Sequence, residues 1–410
     1  MSSASLIKLS EIAEIVAGQS PPSKFYSDSG TPFLQGNRTF GNLYPAIDSY
    51  TTITTKMARK DEVLISVRAP VGDLNIAPKD LCIGRGLASL NSKIGDNKFL
   101  YYVMKYNIKT LLMRQAGGTT FSSIDKDELR QLDIVVPTEK NSYSSIANFL
   151  WSLDQKIDIN DKMIEEFEAY LELLYNYWFV QFDFPNSSGR PYKTSGGEIK
   201  KGSLDIPSDW VCSTVRDIVQ LRTGVSYSSE EIESGSGIPM INLGSIGKDR
   251  KYRDEKIKYY SGVVSSSKIA NPGDLLLACT DLTSEGLIIG CPIFVPGHYD
   301  EFTYSMDLSK ITIKSNKVLP VYLYMTLRTK WYHNYIKKFA SGTNVRHLDT
   351  EGVLRYEIAI PPISLQKKYQ DIAQPMFDKM DELLIQNQEL TNLRDWLLPM
   401  LMTGQVRIIS

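Results

Sequence analysis

The sequence holds few of the residues and patterns that build metal, nucleotide and nucleophilic sites. Its 410 residues include three scattered histidines and four cysteines, none of which forms a CxxC pair. This argues against a zinc ribbon or a disulfide framework and favours reduced cysteines in a cytoplasmic protein. HExxH, the Walker-type phosphate loop, a complete GxGxxG loop and the Asn-Pro-Pro-aromatic motif of amino-methyltransferases are all missing. We therefore expect no metal, no cofactor and no intrinsic catalysis.

Membrane and export signals are missing as well. No run of residues approaches the roughly 20 apolar positions that a membrane-spanning helix needs. The first residues, MSSASLIKLSEI, lack a basic segment followed by an apolar one, so we expect no signal peptide. The length predicts two domains or more, and the composition of 42% hydrophobic and 23% charged residues is that of a soluble globular chain.

The chain is built from two similar halves. Without gaps, residues 116–137 and 340–361 are identical at six of 22 positions. Three further pairs of segments occur in the same order: 9–20 with 215–226, 30–37 with 237–244, and 60–66 with 272–278. The offset between the halves drifts only from 206 to 224 residues. This pattern indicates an internal duplication and predicts two tandem domains.

Each half has the same internal plan. Short apolar runs broken by Gly, Pro, Asn and Ser come first and predict short strands with long connections and a few helices, that is, an α+β fold. A long helical pattern then closes each half. We expect a mixed α/β domain at 1–143, a long helix at 144–183, a linker at 184–205, a second mixed domain at 206–363 and a second long helix at 364–404.

The two closing helices carry apolar positions at alternating spacings of three and four residues, which is typical of a coiled-coil seam. Each seam contains one asparagine, a residue that fixes register at some cost in stability. Pro399 is expected to end or kink the second helix. The seams could bury each other, or each helix could pack on its own domain. The predicted seam positions are Leu150, Leu153, Ile157, Asn160, Ile164, Phe167, Leu171, Leu174 and Trp178, and Met376, Met380, Leu383, Asn387, Leu390, Arg394, Leu397 and Leu401.

Charge is divided unevenly along the chain. The segments 150–178 and 371–405 carry net charges of −5 and −4, whereas the whole chain carries −1, so the remainder carries +8. Positive domains suit a polyanion, and acidic helices suit a basic partner or a solvated surface. Basic residues alternate with aromatic ones in 247–268 and 328–347. These stretches are either contacts to nucleic acid or solvated loops.

Two segments at the helix ends resemble a known family. They are YWFVQFDFPNSSGRPYKTSGG at 177–197 and LRDWLLPMLMTGQVRI at 393–408. Together with the Gly-Thr loops followed by DIVVP and EIAIPP, they are similar to the specificity subunit of type I restriction–modification systems. The resemblance covers nearly the whole chain and includes the duplication.

That resemblance implies a function in host defence. Each mixed domain would be a target recognition domain that reads one half of a split site on double-stranded DNA. The two helices would form an antiparallel coiled coil that spaces the half-sites. The subunit would be non-catalytic, and it would dock two modification (methyltransferase) subunits and, through the complex, restriction subunits. The assembled complex would be a DNA adenine methyltransferase and ATP-dependent endonuclease, whose S-adenosylmethionine, ATP and magnesium belong to the partners.

The seam length suggests how far apart the half-sites lie. From Leu150 to Trp178 there are 28 steps, or roughly 42 Å at about 1.5 Å each, somewhat more than one turn of B-DNA at about 34–36 Å. Residue chemistry, not a family motif, gives the candidate DNA-contacting residues. They are Gln35, Asn37, Arg38, Arg68, Arg85, Thr120 and Ser122 in the first domain, and Asn242, Thr280, Asn344, Arg346 and His347 in the second. A protein scaffold that does not bind DNA and an enzyme with an unrecognised site remain as alternatives.

Overall fold

The computed structural model describes residues 4–115, 123–233 and 236–408. The chain divides into two compact units, each described here by itself. The first contains Met1–Lys162 and Gln386–Ser410, and the second contains Met163–Ile385. Each unit holds one mixed α/β domain and part of each long helix, which confirms the predicted fold class.

Among its described residues, the first unit contains eleven strands, the helices α1 to α4, of which α4 continues beyond the unit, and the C-terminal part of the second long helix. β1 pairs with β11, a four-stranded sheet has the order β2-β10-β7-β8, and a five-stranded sheet has the order β3-β5-β4-β9-β6. The bounds are β1 Ala4–Lys8, α1 Leu9–Ile12, β2 Ala13–Ala17, β3 Tyr26–Ser27, β4 Thr31–Leu34, β5 Tyr50–Thr51, β6 Met57–Ala58, β7 Val63–Ser66, β8 Leu74–Ile76, β9 Leu81–Ile83, β10 Leu87–Ser92, α2 Asn97–Gln115, α3 Lys126–Arg130, β11 Asp133–Pro137 and α4 Tyr143–Tyr175.

In the second unit, a π-helical turn at Asn176–Val180 follows α4, and the remaining elements are β12 Ile199–Lys200, β13 Ile206–Pro207, β14 Val211–Thr214, α5 Val215–Ile218, β15 Val219–Thr223, β16 Ile232–Glu233, β17 Ile238–Ile241, β18 Lys258–Tyr260, β19 Ile269–Ala270, β20 Leu275–Ala278, β21 Thr280–Asp281, β22 Pro292–Phe294, β23 Phe302–Tyr304, β24 Leu308–Ile313, α6 Pro320–Arg328, α7 Lys330–Ile336, β25 Ala340–Ser341, β26 Arg346–Leu348, α8 Thr350–Leu354, β27 Glu357–Ile360 and α9 Ile363–Met402. β14 pairs with β27, and the larger sheets have the orders β15-β24-β20-β22 and β16-β18-β17-β23-β19. The strands therefore repeat the plan of the first unit one for one. Among the described residues, this unit also contains the small sheets β12-β13 and β21-β26-β25.

Glycines at one equivalent position explain part of the sequence repeat. A Cβ atom on Gly18 would lie 2.1 Å from the Gly84 carbonyl oxygen, and one on Gly224 would lie 2.1 Å from the Tyr304 carbonyl oxygen. Any larger residue would collide with backbone, so both halves need glycine where two chain segments approach this closely.

Capping explains another repeated residue. The Asp125 carboxylate accepts hydrogen bonds of 2.8 Å from two backbone N–H groups at the start of α3. The Asp349 carboxylate accepts one of 3.0 Å at the start of α8. Each aspartate is an N-cap that satisfies otherwise unpaired helix donors. Each capped helix leads into the strand that completes its domain, β11 or β27, so the end of the repeated segment is structural.

The seam residues of α4 and α9 are all buried or half-buried. In the first unit the Asn160 side-chain amide donates to Gln386 Oε1 and Asn387 Oδ1, both at 2.8 Å. Arg394 forms an ion pair with Asp154 at 2.5 Å. Residue numbers rise on α4 as they fall on α9, so the helices are antiparallel. The two predicted asparagines therefore meet, and the alternative that each helix packs only on its own domain is wrong.

Proline has less effect on α9 than its residue type suggests. The helix continues through Pro399 to Met402, so this proline does not end it.

In the second unit, α4 and α9 are also in contact. The Tyr369 hydroxyl donates to the Leu171 carbonyl oxygen at 3.0 Å, and Leu171, Ala373 and Met380 belong to one buried apolar cluster.

Candidate nucleic-acid interface

A short row of side chains continues the four-stranded sheet of the first domain. β7 and β10 pair up to Ser66 and Leu87. One residue further, the Val67 N–H donates to the Gly86 carbonyl at 2.9 Å. Arg85 lies in the turn that leads into β10, which the hydrogen bond from the Leu87 N–H to the Gly84 carbonyl closes, and Arg68 forms an antiparallel bridge with Ser123. We call Arg85, Arg68 and Ser123 the first row.

The second domain has the same row at the same place. β20 and β24 pair up to Ala278 and Leu308, and the Cys279 N–H donates to the Asp307 carbonyl at 2.7 Å. Met306 lies in the turn that leads into β24, which the hydrogen bond from the Leu308 N–H to the Ser305 carbonyl closes, as Arg85 does in the first domain, and Thr280 pairs with His347. We call Met306, Thr280 and His347 the second row. The two rows share their backbone positions and differ in every side chain.

The first row borders an electropositive groove of about 480 Å³. Arg68, Arg85 and Lys126 line the groove, and all three are exposed. Asp125 also lines it, but its carboxylate accepts the N-cap hydrogen bonds of α3. Arginine and lysine side chains directed into such a groove can bind phosphates or the acceptor edge of a base.

The second row carries less positive charge than the first, and hydrogen bonds within the domain hold it in place. Thr280 Oγ1 lies 3.5 Å from His347 Nδ1. The neighbouring Asp281 is buried, and its carboxylate accepts backbone hydrogen bonds from Thr283 and Ile288 at 2.6 Å each. These bonds fix the loop that follows β21. Sequence reasoning missed Asp281 and Met306. Following the internal repeat position by position would have found Met306 as the counterpart of Arg85.

Other predicted contacts of the second domain lie around this row. Asn344 is exposed in the turn between β25 and β26, next to Gly342, whose φ of +113° is the left-handed conformation expected for a tight turn. Arg346 is half-buried, and its Nε donates to the Ser284 carbonyl at 2.9 Å. Asn242 is separate: it is buried, accepts from the Gly244 N–H at 2.8 Å and donates to the Lys256 carbonyl at 2.7 Å.

The remaining candidates of the first domain are partly bonded within the protein. Gln35 accepts from the Tyr26 hydroxyl at 3.1 Å, and the Asn37 amide donates to Asp73 at 2.6 Å. Arg38 forms an exposed ion pair with Asp48 at 2.5 Å, which lowers the pKa of that carboxyl. The structure therefore brings Arg68 and Arg85 together but leaves these three outside the first row. Thr120 and Ser122 lie outside the described residues, as does Gly118.

Several residues of the basic and aromatic stretches of the second domain are buried or bonded within that domain. Arg250 donates to the Leu327 and Arg328 carbonyls, and Lys251 pairs with Glu168 at 2.9 Å. Burial raises the pKa of Tyr252. Burial, together with the nearby positive charges of Arg250 and Lys337, lowers the pKa of His333 to about 4. The sequence interpretation of residues 247–268 as a reading surface is therefore not favoured by these contacts.

The long helix α4 and the turn after it expose an apolar stripe in the second unit. Tyr170 and Leu173 lie three residues apart on one face of α4, and Tyr177 and Val180 are exposed in the π-helical turn that follows it. Leu173 is 67% exposed and Tyr170 is 47% exposed. We call these four residues the α4 stripe. An exposed apolar row of this length is typical of a protein contact surface.

Within residues 4–115, 123–233 and 236–408, no three His, Cys, Asp or Glu side chains are grouped so that they could hold a metal ion. Over the same ranges, every helix is too short or too polar to cross a membrane.

Comparison with known proteins identifies the family. The family model described as "Type I restriction modification DNA specificity domain" matches residues 2–169 and 207–392, once in each half. The type I restriction enzyme MjaIX specificity subunit of Methanocaldococcus jannaschii is 24% identical over 98% of this chain and 93% of its own length. A second protein of that organism is 42% identical over 167 residues, which are 40% of this chain and 39% of that protein.

A solved structure repeats the fold. The crystal structure of a type I restriction–modification system S subunit from M. genitalium superimposes over 100% of this chain and 97% of its own, with a TM-score of 0.58 and 17% identity. The family model and the named relatives confirm the predicted non-catalytic specificity subunit, and the solved structure shows the same fold. The family model matches once in each half, and each half contains one of the two rows. This chain belongs to the type I restriction–modification DNA specificity family.

Proposed function

We propose that this chain is the sequence-specific DNA recognition subunit of a type I restriction–modification complex, and that each mixed domain reads one half of a bipartite, gapped site. The observation that carries the proposal is the pair of rows. Their backbone is the same in both domains, whereas Arg85, Arg68 and Ser123 are replaced by Met306, Thr280 and His347. A conserved scaffold with exchanged polar side chains is what two readers of different sequences require.

The proposed organisation assigns a role to each segment. The target recognition domains are 1–143 and 206–363, joined through the linker 184–205. The antiparallel helices, proposed at 144–183 and 364–404, set the distance between the half-sites, about one DNA turn apart. Asn160 and Asn387 support this role, because a paired polar layer inside a seam fixes how far one helix slides along the other.

Modification subunits are the proposed partners of the helices, two copies for the two halves, and restriction subunits join through them. The α4 stripe is the surface that supports this docking. Glu165 and Glu168 are weaker candidates, because both pair with Lys251 inside the second unit. Any S-adenosylmethionine, ATP or magnesium belongs to these partners.

DNA recognition is tested by mapping methylation. The chain is combined with its modification subunit, a library of random DNA is methylated, and the modified positions are sequenced. We expect two specified segments separated by a gap of undefined sequence. A continuous target would contradict the bipartite proposal. Methylation without sequence preference, or no effect of the chain on methylation, would favour a scaffold that does not read DNA.

Docking is tested by co-purification. Replacing Leu173 and Tyr177 by aspartate places charge in the α4 stripe and should abolish capture of the modification subunit. Glu172→Gln is the matched control on the same helix turn, and it should assemble normally. Full assembly of the aspartate variant would remove the stripe from the interface.

A further inference from the structure

The arginines of this chain differ in whether their guanidinium groups already form hydrogen bonds or ion pairs within the protein. Arg38 is paired with Asp48, and Arg250 and Arg328 donate to buried carbonyls. Arg68 and Arg85 are exposed, and within the described residues neither guanidinium has a hydrogen-bond or ion-pair partner. Their five N–H donors each are therefore available to a ligand.

The backbone beneath these two arginines is held in place by close contacts. Val67 donates to Gly86, Ile124 donates to Val67 at 3.0 Å, and Gly18 packs against the Gly84 carbonyl. Arg68 and Arg85 both line the groove described above. The two guanidinium groups thus extend from neighbouring, fixed points into the same groove and can reach bases of one short DNA segment.

We propose that Arg68 and Arg85 read guanine, and that the half-site of the first domain therefore contains at least one G·C pair where they bind. The inference rests on the proposed function and adds the base that is read. A guanidinium group forms two parallel hydrogen bonds to O6 and N7 of guanine, the commonest specific contact in the major groove. Lys126, at the edge of the groove, supplies a phosphate contact that sets the position but not the sequence.

The second row serves as the internal comparison. It contains no guanidinium group. Met306 is an exposed apolar side chain, and Thr280 bonds His347. Guanine contact through two arginines therefore belongs to the first domain alone, and the two half-sites should differ in the base pairs they require.

The test uses the complex of this chain with its modification subunit and the sequencing of methylated random DNA. Arg68→Lys and Arg85→Lys keep the charge but lose the planar fork. We expect each to reduce discrimination by about 10- to 100-fold at one G·C position of one half-site, with the other half-site and the gap unchanged. The double variant Arg68→Thr, Arg85→Met, which installs the residues of the second row, should lose the preference at both positions.

Arg59→Ala removes one exposed positive charge from the same domain away from the row, and its methylation pattern should be that of the wild type. Thermal melting and co-purification show whether each variant folds and assembles. If the double variant does not fold or assemble, the two lysine variants still test the guanine assignment. If the wild type methylates a bipartite site and the lysine variants methylate it with unchanged preference, the guanine assignment is wrong and the proposed function stands. The assignment also fails if the relaxed position is an A·T pair. If the wild type shows no sequence preference, the proposed function itself fails.

Discussion

The helices α4 and α9 pack by different chemistry in the two units. In the first, buried Asp154 lies between Arg394 at 2.5 Å and Lys105 at 3.6 Å, and it accepts a hydrogen bond of 2.6 Å from the Tyr102 hydroxyl. In the second unit, aromatic rings rather than charged groups form the contact between the two helices. Tyr369 is fully buried, and the ring centroids of Tyr175, Trp178 and Phe179 lie 5.2–6.1 Å from its own.

The difference shows what the duplication preserved. Strand order, glycine contacts and helix caps are the same in both units, but the packing of the domain on its helices is not. An ionic cluster requires every member, because an unpaired buried charge is costly. An aromatic cluster is stabilised by burial and tolerates more variation in geometry.

Arg394→Ala should have the largest effect. It leaves the buried Asp154 carboxylate with only Lys105 and Tyr102, and removing one partner of a buried pair typically costs about 3–5 kcal/mol. The free energy of unfolding is measured in urea, with hydrogen exchange of α2 amides reporting on the first unit. A loss below about 1 kcal/mol would show that the ions do not hold this unit together.

Replacing the whole cluster tests the same contrast from the other side. The triple variant Asp154→Leu, Arg394→Met, Lys105→Met gives the first unit an apolar contact like that of the second. Well-packed apolar replacements of buried ions are often neutral or stabilising. The triple variant should therefore be more stable than Arg394→Ala alone.

Asn160→Ala should have an intermediate effect. It removes the amide that donates to Gln386 and Asn387, and the loss of a hydrogen bond between partly exposed groups costs about 0.5–1.5 kcal/mol. Gln155→Ala, at an exposed position on the same helix, is the control and should change the unfolding free energy by less than about 0.5 kcal/mol. Equal losses in both variants would mean that the polar layer contributes nothing specific.

Alkaline pH should stabilise the first unit through Lys105. Burial lowers the pKa of this lysine to about 8 from its ordinary 10.5. Between these values the native side chain is neutral while the unfolded one keeps its proton, so the unfolding free energy rises with pH, by at most about 1.4 kcal/mol per pH unit. Lys105→Met should remove the rise between pH 8 and 10. A flat wild-type profile would contradict the burial of this charge.

Acid should destabilise the second unit through His333, with a smaller effect because the side chain is only half-buried. Its native pKa of about 4 lies below its ordinary 6.5. As pH falls from 6.5 to 4, the unfolded chain binds a proton that the native imidazole does not, and stability decreases. His333→Gln should flatten this part of the profile. An unchanged slope in the variant would assign the loss to other groups.

Periodic and repeated features of the fold could be predicted from sequence. Every position of both seams is buried or half-buried, and the two seam asparagines meet, because burial at spacings of three and four residues leaves a regular pattern. Gly18 with Gly224 and Asp125 with Asp349 could be paired because a close backbone approach and an N-cap each require particular residue types.

Long-range partners could not be predicted. Nothing in the sequence around Asp154 indicates that it pairs with Arg394, which is 240 residues away along the chain. Arg68 meets Ser123 only because the sheet register brings them together. Asn242 was predicted to contact DNA because its amide can bond a base. In the structure that amide bonds the surrounding loop, a partner that the sequence does not reveal.

The central claim is that two domains of one chain read different half-sites. Its most direct test replaces Asn344–Leu348 (NVRHL) with the sequence of residues 120–124 (TFSSI) and maps methylation by the complex before and after. The account predicts that one specified segment changes while the other segment, the gap length and assembly remain the same. A change in both segments, or no change in either, would contradict it.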